Sequence, residues 1–309
     1  MGPSSAPSDQ IPVADATLVL DATAILGEGC FWHPSESRLY WVDIEGCRLH
    51  SFDPASGVNR SFDLPARIGC AVPVESGGLL VALQNGIHFF DPETQRLDFL
   101  TNPLQGKTDI RFNDGKADDA GRFWVGSMHL RIVPGVAALY RLDRSGSVVQ
   151  VLDGVTISNG MAWTEDQKTL YYIDTPKRTV DAFEFSAADG TIHNRRVVFS
   201  FQESEGQPDG MTIDLDGKLW VAMWSGGQVL RLDPDTGICM ERVRVPAPLV
   251  TSCCFGGEDL RTLYITTARV ELNDAQRAAY PHSGGLFALK TKTSGKAAAC
   301  YRGKTTMYT

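Results

Sequence analysis

One unit of sequence recurs along the whole chain, and only a fold built from repeated supersecondary units can absorb it. Its clearest copy is Gln207-Pro208-Asp209-Gly210-Met211-Thr212-Ile213-Asp214-Leu215-Asp216-Gly217-Lys218-Leu219-Trp220-Val221-Ala222. A carboxylate beside glycine opens an apolar run, Asp216-Gly217 supplies the turn, and a second apolar run follows, which is the pattern of a β-hairpin. Ser158-Asn159-Gly160-Met161-Ala162-Trp163 leads in the same way to Leu170-Tyr171-Tyr172-Ile173, and Phe112-Asn113-Asp114-Gly115-Lys116-Ala117 leads to Phe123-Trp124-Val125-Gly126.

Six copies can be superposed, with second strands starting at Leu39, Leu79, Phe123, Leu170, Leu219 and Leu263. Their period of roughly 40 to 50 residues is that of a four-stranded propeller blade. Most copies continue into a third strand that ends at an Asp turn, as in Leu49-His50-Ser51-Phe52-Asp53 and Val229-Leu230-Arg231-Leu232-Asp233. A sandwich or jelly roll also uses short, evenly spaced strands, but neither needs one motif six times. The fold class is therefore all-β, a six-bladed β-propeller.

Residues 17–21 precede the first copy without a hairpin partner. They are expected to join the blade containing Gly285-Leu286-Phe287-Ala288-Leu289 and so fasten the ring, removing two open edges. Residues 1–14 are read as a flexible leader, 15–302 as one propeller domain with a short last strand near Ala299-Cys300-Tyr301, and 303–309 as a flexible tail. The insertions at 129–137 and 270–283 are expected to overhang the channel mouth, the second with a helical stretch before Pro281.

A net charge of −8 over 309 residues offers no basic field for nucleic acid or anionic lipid. The apolar runs are strand-sized and the first residues lack a signal-peptide pattern, so a cytoplasmic protein with no membrane partner is expected. Seven cysteines without CxxC spacing fit reduced thiols, with Cys30, Cys70, Cys253 and Cys254 as small buried residues. Oligomeric state is left open.

In a propeller the innermost strands line the channel, so equivalent positions at their starts converge on the axis. Those positions hold Glu28, Gly69, Asn113, Asn159, Asp209 and Ser252. A solvated tunnel mouth needs no more than polarity, yet glycine stands beside Glu28, Asn159 and Asp209, where close backbone approach is required. Two converging carboxylates repel unless a cation lies between them. Glu28 and Asp209 with the amide oxygen of Asn159 form an all-oxygen set of charge −2 suited to one divalent cation, Ca, Mg or Mn, with Zn and Fe(II) also open. No GxSxG, Walker A, GxGxxG or HExxH motif competes with this site.

Leu26-Gly27-Glu28-Gly29, Arg111-Phe112-Asn113-Asp114-Gly115-Lys116, Ile157-Ser158-Asn159-Gly160, Pro208-Asp209-Gly210-Met211 and Thr251-Ser252-Cys253-Cys254-Phe255-Gly256-Gly257 together resemble the SMP-30/gluconolactonase/regucalcin family, over about residues 17–290. The resemblance implies a six-bladed propeller that hydrolyses sugar lactones with one divalent cation. It implies Glu28, Asn159 and Asp209 as metal ligands, Asp209 also as general base, and Arg111 and Asn113 as substrate contacts. Some relatives carry an acidic residue after the segment equivalent to Gly126-Ser127-Met128, whereas this chain continues His129-Leu130-Arg131-Ile132. Sugar preference does not transfer across that loop, and His129 becomes a candidate hydrogen-bond donor to a hydroxyl.

An aldonolactone is an activated ester, so a polarised carbonyl and an aimed water suffice for hydrolysis. The expected partner is a small sugar lactone, with the metal polarising the carbonyl and Asp209 activating water. A hydroxide on the cation in place of Asp209 as effective base stays open. So do a Ca-binding regulatory protein without turnover and a metal-dependent hydrolase of another ester or organophosphate.

Overall fold

The computed structural model describes residues 11–303. Their strands form six sheets around a central channel, five of four strands and one of five. Blade 1 comprises Gly27–His33, Arg38–Asp43, Arg48–Asp53 and Val58–Asp63, and blade 2 Ile68–Pro73, Leu79–Leu83, Gly86–Asp91 and Arg96–Thr101. Blade 3 comprises Ile110–Ala117, Phe123–His129, Ala137–Leu142 and Val148–Val155, and blade 4 Ser158–Trp163, Thr169–Asp174, Thr179–Phe185 and Ile192–Ser200. Blade 5 is Gln207–Ile213, Leu219–Trp224, Gln228–Asp233 and Ile238–Arg244. Blade 6 is Leu249–Gly256, Thr262–Ala268, Leu286–Lys290 and, from the other end of the chain, Thr17–Leu20.

Burial falls from the axis outward. The innermost strands Ile68–Pro73, Ser158–Trp163 and Leu249–Gly256 are buried at every residue, while outermost Val58–Asp63 and Ile192–Ser200 are largely exposed. Inner strands are covered on both faces by neighbouring blades and can be apolar throughout, whereas an outer edge faces water and must be polar. Within blades 3 and 5 a buried Asp ties the strands together. Asp118 Oδ2 accepts from Trp124 Nε1 at 2.8 Å and Arg122 Nε at 2.6 Å; Asp214 Oδ2 accepts from Trp220 Nε1 at 2.9 Å and Arg231 Nε at 2.8 Å.

The ring closes as expected, with Thr17, Leu18 and Leu20 pairing antiparallel to Ala288, Phe287 and Leu286. The leader boundary is corrected. Val13–Asp15 forms a strand parallel to Arg242–Arg244, so ordered structure begins before residue 15, and the rest of the expected leader, residues 1–10, lies outside the described residues. Asp15 adds an ion pair to Arg244 at 2.7 Å.

The expected last strand near Ala299 is also corrected, because Tyr301 makes only an isolated bridge with Val74. What forms instead is a strap. Leu215 N donates to Ser294 O at 2.9 Å and Gly295 N to Leu260 O at 2.8 Å on blades 5 and 6, and Tyr301 N donates to Pro73 O at 2.8 Å and Arg302 N to Gly121 O at 3.0 Å on blades 2 and 3. All four anchor points lie at or just beyond the C-terminal ends of innermost strands, so residues 294–302 cross that end of the channel. Tyr301 is fully buried in the core between blades 2 and 3. Of the expected tail, residues 304–309 lie outside the described residues.

The opposite end, where the innermost strands begin, is the mouth. Arg111 pairs with Met128 and Leu249 with Ala268, so both long insertions, which follow Met128 and Ala268, emerge there as expected. The second contains the helix Asp274–Ala279, started by an Asn273/Gln276 capping box. Among the described residues no helix is long and apolar enough to cross a membrane.

Candidate active site

Every innermost strand breaks register near its start. The shift falls between Glu28 and Phe31, Ile68 and Cys70, Phe112 and Gly115, Asn159 and Met161, Pro208 and Met211, and Val250 and Ser252. A β-bulge interrupts the in/out alternation of a strand and re-aims side chains. Here it does so six times at one level of the channel, and the candidate residues sit at these breaks. The neighbouring glycines have a steric reason. A Cβ on Gly160 would come within 2.6 Å of Asp209 O, and one on Gly210 within 2.5 Å of Ser252 Oγ, so each glycine lets the next blade approach the axis.

Glu28, Arg111, Asn113, Asn159 and Asp209 are all buried, none more than 6% exposed. Asn159 Nδ2 donates to Thr175 Oγ1 at 3.0 Å, and Thr175 Oγ1 donates to Pro208 O at 2.8 Å. Arg111 Nη1 donates to Phe112 O at 2.9 Å and to Asn113 Oδ1 at 2.7 Å, while Asn113 Nδ2 donates to Ser158 O at 2.9 Å. The guanidinium and both amides are thus held in place by the protein's own groups. Within this group of five residues, two buried oxygens have no partner, Asn159 Oδ1 and Asp209 Oδ1.

The electrostatics place these groups in one another's field. Burial pushes the Glu28 carboxyl up to about 8, with the Asp114 charge adding to the rise. Burial, then Glu28 and Asp114, push Asp209 far above the usual carboxylate range, while a hydrogen bond from Asn159 and the Arg111 charge oppose the shift. Burial lowers Arg111 to about 10 against the pull of Glu45, Glu28 and Asp209. Converging, desolvated carboxylates of this kind are relieved by a cation.

The donor set fits a hard divalent cation: two carboxylates and a carboxamide whose NH2 is already engaged, with unpartnered oxygens on two of the three. Among the described residues no three His, Cys, Asp or Glu side chains cluster closely enough to ligate a metal, so a site here depends on the Asn159 oxygen. Gly69 brings no side chain because the Asn113 backbone oxygen lies 2.7 Å from where its Cβ would be. Ser252 is buried and uncharged.

His129 is placed differently. It pairs with Ile110 at the rim, next to Arg111, but its Nδ1 accepts the Arg131 N–H at 3.0 Å within its own loop. That bond puts the ring proton on Nε2 and leaves it as a donor. Two residues were missed by the repeat superposition, which takes one position per blade. Asp114 follows Asn113 in the blade 3 bulge, and Thr175 lies beyond the second strand of blade 4. The signal for Asp114 was its place beside Asn113 in the motif; Thr175 carried none.

The family described as SMP-30/Gluconolactonase/LRE-like region matches residues 26–269. The putative sugar lactone lactonase YvrE of Bacillus subtilis (strain 168) is 38% identical over 281 residues, 91% of this chain and 96% of its own. Regucalcin of Danio rerio is 40% identical over 264 residues, 85% of this chain and 89% of its own. The crystal structure of a calcium-binding protein, regucalcin, from Agrobacterium tumefaciens strain C58 superposes with a TM-score of 0.90 at 26% identity, covering 94% of this chain and 99% of that one. With the fold, the five motifs and these matches in agreement, the chain belongs to the SMP-30/gluconolactonase/LRE-like family.

Proposed function

We propose that this protein hydrolyses sugar lactones to aldonic acids with one divalent cation held by Glu28, Asn159 and Asp209. The observation that carries the reading is the pair of unpartnered buried oxygens on Asn159 and Asp209, beside Glu28 at the channel mouth. The lactonase name of a relative 38% identical over most of both chains supports the choice of substrate. When bound, the cation supplies a Lewis acid for the lactone carbonyl and lets Glu28 and Asp209 stay ionised together.

The chain's own groups do the rest. Arg111, braced by Phe112 O and Asn113 Oδ1, donates to ring and hydroxyl oxygens from one side, and Asn113 fixes its pose. His129 Nε2–H reaches a hydroxyl from the rim. Asp209 Oδ1 takes a proton from the attacking water, whose oxygen bonds to the carbonyl carbon; the ring C–O bond then breaks, and its oxygen takes that proton from Asp209 and leaves as the alcohol of the open aldonate. Because the strap crosses the far end of the channel, substrate enters and product leaves by the mouth.

A calcium-binding protein without turnover is the second reading, favoured by the regucalcin relative at 40% identity and the calcium-binding neighbour. Turnover of gluconolactone and xylonolactone, corrected for spontaneous hydrolysis and measured after chelation and after restoring Ca, Mn, Mg or Zn, separates the two. Cation-dependent turnover supports the lactonase, and cation binding with no turnover on any lactone rejects it.

A further inference from the structure

Toward the strap end, the channel holds a cavity of about 90 Å³ lined by Asp114, Lys116, Cys30, Cys254 and Thr212 and by the strap at 296–299. Since about 10–15 Å³ of such space is enough for one water, the cavity has room for several. Asp114 stands at its wall. The blade 3 bulge displaces Asp114 together with Asn113, and the carboxylate is buried, only 6% exposed. Oδ1 accepts the Gly115 N–H at 2.8 Å, whereas Oδ2 has no partner. Lys116 does not pair with it by contact, since Lys116 Nζ donates to Met211 O at 2.5 Å.

A buried acceptor left without a donor is costly, and a cavity that is polar and roomy enough answers that cost with water. Asp114 lies in the blade 3 bulge, at the level of the channel where the bulges of blades 1, 4 and 5 bring in Glu28, Asn159 and Asp209. It is not close enough to join a direct carboxylate triad, because no such cluster exists among the described residues.

Resting on the cation site proposed above, we propose that Asp114 is a positioning residue for that site, whose unpartnered oxygen would hold cavity water beside a cation carried by Glu28, Asn159 and Asp209. The strap residues 296–299 form one wall of the cavity that would hold this water. Partners of this kind, one step behind the ligands, change metal affinity about 10–100-fold when removed.

The test is calorimetric titration of the cation-free protein with Mn²⁺, comparing wild type with Asp114→Asn, Asp209→Asn and Asp235→Asn, a control at an exposed turn of blade 5 away from the cavity. Asp114→Asn keeps the shape and an acceptor for Gly115 but removes the charge. Its Mn²⁺ affinity should fall about 10–100-fold while its cation-free melting temperature stays level or rises, and Asp235→Asn should bind as wild type. Tb³⁺ luminescence lifetimes in H₂O and D₂O should show fewer waters on the bound ion in Asp114→Asn. Asp114→Ser, expected to show the same loss, stands in if Asp114→Asn does not fold. Affinity within about threefold of wild type, or an unchanged water count, overturns the role of Asp114 provided that Asp209→Asn is weakened. If Asp209→Asn also binds normally, the cation site itself is wrong and this inference goes with it.

Discussion

Thr175 Oγ1 receives a hydrogen bond from Asn159 Nδ2 at 3.0 Å and donates its own to Pro208 O at 2.8 Å, so the candidate ligand of blade 4 is tied to the strand that carries Asp209. The tie decides which end of the Asn159 amide faces the axis. With the NH2 held by Thr175, only Oδ1 is left to meet a cation. Thr175→Val should therefore weaken Mn²⁺ binding about tenfold or more, the usual effect of removing a group that orients a ligand. Titration of the cation-free variant checks this, and circular dichroism should show an unchanged sheet.

Asp209 and Asn159 differ in one property, since only the carboxylate takes a proton readily. Asp209→Asn should lower turnover at saturating cation by about 10² to 10⁴, the range for a positioned base. Asn159→Asp adds a negative charge without removing the base, and should bind the cation more tightly while keeping substantial activity. A metal titration of lactone turnover for both variants tests the pair; full recovery of Asp209→Asn at saturating cation would show Asp209 to be a ligand only.

The pH dependence of stability carries a definite sign. Glu28 has a folded-state value raised from 4.5 to about 8, and Asp209 and Asp114 are raised in the same direction. A raised carboxylate stabilises the fold fully below its unfolded value and loses that contribution as pH climbs through the folded one. His50, lowered from 6.5 to about 4 by burial, acts oppositely below 6.5, so the clean window is about pH 6.5 to 8. There the cation-free protein should lose melting temperature as pH rises, saturating cation should remove the slope, and Glu28→Gln should flatten it.

The strap should matter for stability more than for the site. Tyr301 is fully buried, and its hydroxyl donates to Asp143 O at 3.2 Å. Tyr301→Ala should cost about 3–5 kcal/mol, as other buried aromatic truncations do. Urea unfolding of the cation-free protein measures it, and lactone turnover at low urea should remain near wild type.

The ring was legible because its cause is local. Each copy of the hairpin carries its own turn and its own alternation of apolar residues, and six copies at one period leave little choice of architecture. Glu28, Asn159 and Asp209 were legible for a related reason, since equivalent positions in equivalent blades must converge on one axis. The five family motifs added Arg111 and implied a substrate role for Asn113, which the repeat had already placed at the mouth. The rest depended on contacts between distant residues. The bulges at Phe112–Gly115 and Pro208–Met211 follow from how blades crowd at the axis, and no spacing in the sequence announces them. Thr175 and Asp114 acquire roles only through groups on other blades, namely Pro208 O and the charges of Glu28 and Asp209. The C-terminal segment reads as an undistinguished strand end, and becomes a strap because Tyr301 finds its pocket between blades 2 and 3, far from it in sequence. Local pattern sets what repeats, whereas burial and partner choice across the ring set what each repeat does.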